Sequence, residues 1–151
     1  MRGITLHEPW ASLIAHGIKN WETRSWKTRY RGLLLIHSGQ RFPKKHEVLH
    51  LRKSVIHPDA GRALSTDYKD NMGCIITIAT LEDCILMTEE LIDSTDETEL
   101  FCGDWQPGRY AWKLADAQRI KPIPFKGKQG LWIPSPEVIA EVSRYVNAKS
   151  A

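Results

Sequence analysis

Nothing in the 151 residues is apolar for the roughly 20 consecutive positions that a membrane-spanning helix needs. The start, MRGITLHEPW, has no apolar core of a secretory signal, because His7, Glu8 and Pro9 interrupt it. These two absences predict a cytoplasmic protein that stays out of the membrane. Cysteine is scarce: Cys74, Cys84 and Cys102 are odd in number and show no C-x-x-C spacing. They read as reduced thiols, and Cys74 and Cys84, in or beside an apolar run, as packing residues. The glycine-rich KGKQG (126–130) has no following Lys-Ser/Thr, so it is no phosphate loop, though it lets the backbone approach a ligand closely. A dinucleotide fingerprint, a serine-centred nucleophile elbow, an internal repeat and a low-complexity tract are all missing. The net charge of +3 is too small by itself to specify nucleic acid.

What is present fits one domain over residues 1–151, with 42% hydrophobic and 26% charged residues. The charge is segregated. Basic residues gather at Arg24, Lys27, Arg29 and Arg31, at Arg41, Lys44, Lys45, Arg52 and Lys53, and again from Arg119 to Lys128. An acidic stretch from Glu82 to Glu99 lies between them.

ITLH (4–7) predicts a first strand. Pro9 to His16 predicts a helix that buries Trp10, Leu13 and Ile14 and stops at Gly17. NWETRSW (20–26) predicts a strand, and GLLLIH (32–37) a strand buried on both faces. A second helix runs from Pro43 to about Lys53 with Val48 and Leu49 inward, and a long surface loop from His57 to Asn71 follows. Gly73 to Leu86 is the longest strand candidate, and TEELIDS a short helix. GRYAWKLAD alternates as a half-buried strand, and residues 121–134 predict a bent or edge strand pair. Ser135 and Pro136 open a last helix with Val138, Ile139, Val142 and Val146 as its buried stripe. The pattern predicts α+β: a small curved sheet or partly closed barrel, with peripheral helices.

GIKNWETRSW (17–26) concentrates charge and indole. Strand parity puts Glu22, Arg24 and Trp26 on one face. Lys19, in the turn after the helix stop, can reach over Glu22 and Arg24. Trp10 is expected in the core and Trp26 at a ligand, since an indole beside Arg and Lys suits a stacked base.

The run LHEPWASLIAHGIKNWETRSW resembles the start of an ASCH (activating signal cointegrator homology) domain, of the PUA-like β-barrel superfamily. Its signature G-x-K-x-x-E-x-R is met by Gly17, Lys19, Glu22 and Arg24. RGLLLIHSG, GCIITIATLEDC, RYAWKL and PFKGKQGLW are similar to later family strands. The resemblance covers about 4–134 and implies a small, mostly antiparallel, mixed β-barrel. It implies a cleft where the signature meets the strand around His37 and Ser38. It implies as partner a single-stranded nucleic acid or a modified nucleoside. On that expectation Lys19 and Arg24 hold phosphate or base oxygens, Glu22 accepts from an exocyclic amine, and Trp26 stacks. Lys44 and Lys45, on the basic helix, track the backbone, with His37 and Ser38 beside the cleft.

The resemblance also implies an alternative, a small metal-free hydrolase of the N4-acetylcytidine amidohydrolase or ribonuclease type, with Lys19 and Glu22 catalytic. In the amidohydrolase branch a Thr stands where this chain has Glu22, and a distant Glu completes the set. Glu82, Glu89 and Glu90 are candidates for it. HEVLH (46–50) matches the H-E-x-x-H zinc motif. With Lys44, Lys45, Arg52 and Lys53 around it, a dication is repelled, and the match reads as chance. No metal and no cofactor are expected.

Overall fold

The computed structural model describes residues 1–65 and 68–150, with the backbone alone at Lys149 and Ser150. The apolar run near residue 35 forms β3 (Gly32–Ser38), with Leu34, Leu35 and Ile36 all shut off from solvent. Side chains alternate across a strand, so this run feeds two cores at once. Leu34 and Ile36 pack with Ile4, Ile14 and Trp112 on one face, and Leu35 packs with Ile75, Ile78, Trp132 and Val142 on the other.

Around β3 lie β1 (Arg2–Leu6), β4 (Cys74–Leu86), β5 (Tyr110–Pro124) and β2 (Trp21–Arg24), in the order β1-β3-β4-β5-β2. Among the described residues only β1 and β3 pair in parallel; the other pairs are antiparallel. The β4–β5 ladder shifts register at three places, between Ile75 and Leu81–Asp83, and such bulges bend and twist a sheet. The sheet curls into a half-barrel. Across its open seam the Arg24 guanidinium donates to Thr5 O at 3.3 Å, tying β2 to β1.

Six helices pack around the sheet among the described residues: α1 (Trp10–Ala15), α2 (Lys45–Ser54), α3 (Ala60–Ala63), α4 (Glu89–Asp93), α5 (Glu97–Phe101) and α6 (Pro136–Ser150). Leu13 and Ile18 join Val48, Leu51, Leu64 and Cys102 in a third core between α1, α2, α3 and α5. No helix of the described residues is long and apolar enough to cross a membrane.

Several boundaries differ from the sequence expectation. The strand expected over 20–26 ends at Arg24, because β5 offers it a partner only from Tyr110 to Lys113. In α2, Leu51 is buried and Leu49 is 45% exposed, so the helix turns a different side inward. The expected stripe of α6 holds at Val138 and Val142, while Ile139 faces outward. The expected loop 57–71 contains α3, and its Thr66 and Asp67 lie outside the described residues. The expected strand pair over 121–134 is instead the far end of β5 plus a loop bridged at Gly3 and Trp132. Pro122 and Pro124 fit there because β2 does not reach that part of β5, which leaves an edge where no donor is needed.

Candidate functional site

Gly17 turns the chain at the end of α1. Its φ of +70° is a left-handed conformation that suits glycine, and its N–H closes on Ile14 O at 3.0 Å. Ile18 and Lys19 then donate their N–H groups to Leu13 O, which folds the chain back under the helix and aims Lys19 inward.

Lys19 is 2% exposed. Its Nζ donates to Trp21 O at 2.6 Å and to Cys102 O at 2.7 Å, and lies 3.6 Å from Glu22 Oε2. Glu22 Oε1 lies 3.2 Å from Arg24 Nε, an ion pair by distance that is not aligned as a hydrogen bond. The cation–anion–cation cluster is therefore built, and its anion is buried. A buried carboxylate is costly unless opposite charge and donors offset it, and here two cations do. Lys19 gives two donors to backbone carbonyls and its charge to Glu22, so its ammonium holds structure together at the cavity wall.

Lys19 and Glu22 line a cavity of about 410 Å³ together with Trp10, Thr23, Phe101, Cys102, Asp104 and Arg109. Trp10 and Phe101 supply aromatic wall. Asp104 and Arg109 pair at 3.4 Å, and Arg109 Nε also donates to Asp104 O at 3.0 Å. The Asp104 N–H donates to Thr23 Oγ1 at 3.0 Å, which fixes this loop to β2. Burial pushes the Cys102 thiol up to about 11, so it is no thiolate nucleophile.

Both indoles are half-buried and pack on the core, as expected of Trp10. Trp26 also meets Trp112 edge-on at 4.7 Å, and Trp10 also lines the cavity. Trp112, fully buried, is the far-off neighbour that draws Trp26 in. Arg24 sits beside Glu22 but outside the cavity lining. The candidates for a distant acidic partner are also displaced. Glu82 pairs with Lys113 on the surface at 3.2 Å, and Glu89 and Glu90 are exposed at the start of α4. Glu99 is the acid that reaches this segment: its carboxylate accepts from the Asn20 and Trp21 N–H groups at 2.6 and 3.3 Å. Burial raises its pKa, against those hydrogen bonds and Lys19.

Ser38 is fully buried and donates to Glu8 Oε1 at 2.7 Å, while Glu8 Oε2 accepts from the Ser12 N–H. Burial raises the pKa of Glu8 despite these bonds. Ser38 is thus committed to a buried carboxylate. His37 lies on β3 opposite Thr5, the residue whose carbonyl holds Arg24. It lines a separate cavity with Gly39, Gln40, Phe125 and Lys126. Lys44 and Lys45 are exposed where α2 begins, and neither lines either cavity. In the H-E-x-x-H segment Glu47 accepts from the Lys44 N–H at 3.1 Å, and His50 meets Phe101 edge-on at 5.7 Å. No group of three or more His, Cys, Asp or Glu among the described residues is placed to hold a metal.

The sequence alone does not single out Phe101, Asp104 and Arg109. The signal available was the run CGDW (102–105), where Gly103 packs so closely that a Cβ would lie 2.8 Å from Thr23 Cγ2.

The chain is thus a curled half-barrel domain with an ion trio beside an aromatic-lined cavity. The ASCH domain pattern matches residues 4–124, and the chain belongs to the ASCH family. It is 30% identical over 140 residues to human "Activating signal cointegrator 1" and 28% identical over 141 residues to the mouse protein. Each alignment covers 85% of this chain but 21% of the relative, so the chain spans about a fifth of those proteins' length. Among solved structures it resembles ASCH from Zymomonas mobilis, with a TM-score of 0.58 at 20% identity over 94% of this chain and 93% of that one. A mutant form of the same bacterial protein gives 0.57 at 19% identity, over 94% and 96%. At such identities the likeness concerns the fold.

Proposed function

We propose that this domain binds single-stranded nucleic acid, or a modified nucleoside, by taking one nucleobase into the Trp10–Lys19–Glu22 cavity. The family is generally RNA-binding, which supports that ligand class. One observation carries the choice of cavity: the buried Glu22 carboxylate, held by Lys19 and Arg24, lines it together with Trp10 and Phe101. The cavity's charged residues balance, Lys19 and Arg109 against Glu22 and Asp104. A balanced cavity with a carboxylate suits an uncharged, amine-bearing ring better than a phosphate. Glu22 accepts from the exocyclic amine, as carboxylates do from cytosine N4. Trp10 and Phe101 give the base its apolar contact. Phosphates fall to cations outside: the half-buried Arg24 on the seam, exposed Lys27 and Arg29 after β2, and exposed Lys44 and Lys45 where α2 begins.

The test is a thermal-shift and calorimetric titration with cytidine, N4-acetylcytidine, adenosine and a short single-stranded RNA. Wild type, Glu22→Gln and Phe101→Leu are compared. Binding to the folded state raises the midpoint with ligand concentration. Both substitutions are expected to weaken binding by about tenfold or more. Wild type that ignores every ligand, or variants that bind as wild type does, would overturn the proposal.

A further inference from the structure

Away from the signature, α2 leaves one of its faces uncovered. Lys45, Val48, Leu49 and Arg52 stand at i, i+3, i+4 and i+7, which makes one stripe along the helix. With Phe42, Pro43 and Tyr68 they line a cavity of about 310 Å³, and none of the seven lines the Trp10–Lys19–Glu22 cavity or the His37 cavity. Val48 and Tyr68 are buried, whereas Phe42 is 57% and Leu49 45% exposed. Large apolar side chains left open around one hollow mark a contact surface.

The polar groups of this groove say what covers it. Arg52 Nε and Nη2 both donate to Leu64 O, at 3.1 and 2.7 Å, and the Tyr68 hydroxyl donates to Ala63 O at 3.4 Å. Among the described residues the lining has no carboxylate and no side-chain amide. A nucleobase seated there would bury a polar edge with little to pair it, which is costly. A large apolar side chain has no such edge. The charge is one-sided. Lys45 and Arg52 lie two helical turns apart, about 10 Å, so a cation stands at each end of the stripe. Lys44 and Lys53 add exposed positive charge beside them. Glu47, the one acid of α2, is already engaged: it accepts from the Lys44 N–H at 3.1 Å and pairs with Arg41 at 3.7 Å.

We propose that this groove docks a short acidic segment of another protein. One large apolar side chain of that segment sits against Phe42, Leu49 and Tyr68, and an acidic residue on either side of it meets Lys45 and Arg52. In an extended chain two residues three positions apart span about 10 Å, which matches the spacing of the two cations. The inference stands apart from the base cavity. It shares only Lys45 with the outer path proposed for a nucleic-acid strand.

The test is a fluorescence-anisotropy titration of the whole chain with labelled peptides GDEXSEDG, where X is leucine, methionine, phenylalanine or tryptophan. At least one is expected to bind saturably and more weakly as salt rises. The same peptide with X as serine, or with lysine for every acid, should bind at least about tenfold more weakly. Leu49→Ser and Lys45→Glu should each weaken the best peptide by about tenfold or more. Both side chains are exposed, so the variants should fold, and circular dichroism checks that they do. Leu49→Ser should leave the binding of an oligouridylate in place. Four peptides that all fail to bind, a serine peptide that binds like its parent, or full binding by Leu49→Ser would each overturn the proposal. Oligouridylate binding that falls in Leu49→Ser would assign the groove to nucleic acid instead. Self-association in sedimentation that Leu49→Ser abolishes would assign it to a second copy of this chain. Either result also overturns the proposal.

Discussion

At the scale of single residues, Lys19 carries more structure than its place in a binding signature suggests. Lys19→Met keeps the apolar stem but leaves two backbone carbonyls and part of the Glu22 charge unanswered. Removing one partner of a buried pair costs about 3–5 kcal/mol, and urea unfolding should show a loss of that order. The double variant with Glu22→Gln should lose less than the sum of the two singles. A loss below about 1 kcal/mol, the value of an exposed pair, would show that the cluster is open to water. His37 gives a pH prediction with a definite sign. Its folded pKa lies below the ordinary 6.5, so as pH falls through 6.5 the unfolded chain takes up the proton first. Stability present above that pH is lost below it, down toward the folded pKa. The melting temperature of His37→Gln should therefore fall less steeply than that of wild type below pH 6.5. An unchanged slope would contradict the buried neutral ring. The ion trio was legible in the sequence because its spacing is local: a glycine stop, then three charges within one turn and one short strand. The edge-on packing of Trp26 was not, because it depends on Trp112, 86 positions away in the chain.

At the scale of elements, the segment from Phe101 to Arg109 supplies much of the cavity wall. It is pinned where Gly103 passes Thr23 and where Trp105 Nε1 donates to Glu99 O at 2.8 Å. Gly103→Ala puts a Cβ 2.8 Å from Thr23 Cγ2 and 2.9 Å from that indole nitrogen. Overpacking of this kind costs about 1–3 kcal/mol, and the displaced loop should weaken ligand binding as well. A variant as stable as wild type would mean the loop yields freely. Strand positions were readable from β-branched and apolar runs, as in β3 and β4. The end of β2 and the length of β5 were not, since a strand stops where its partner stops. Pro122 and Pro124 suggested a break, and the missing neighbour on that side of β5 explains why none occurs.

At the scale of the whole molecule, two cores on the faces of one sheet and a third under α1 hold β2 against β5 and the seam at Arg24. The α+β class and the curled sheet followed from alternating strands and helices. The pairing order, with β2 at one edge and β1 at the other, depends on long-range contacts that no local pattern records. The exposed basic residues outside the cavity should make oligonucleotide binding salt-dependent. With about three phosphates neutralised, the slope of log K against log salt for a single strand is about −2. A slope near zero would mean that only the base is held. What matters most is where the base goes. A crystal structure with a short single-stranded RNA tests that most directly. It should show a base against Trp10 and Phe101 with its amine at hydrogen-bond distance from Glu22. A strand bound to the domain with that cavity unused would contradict the account.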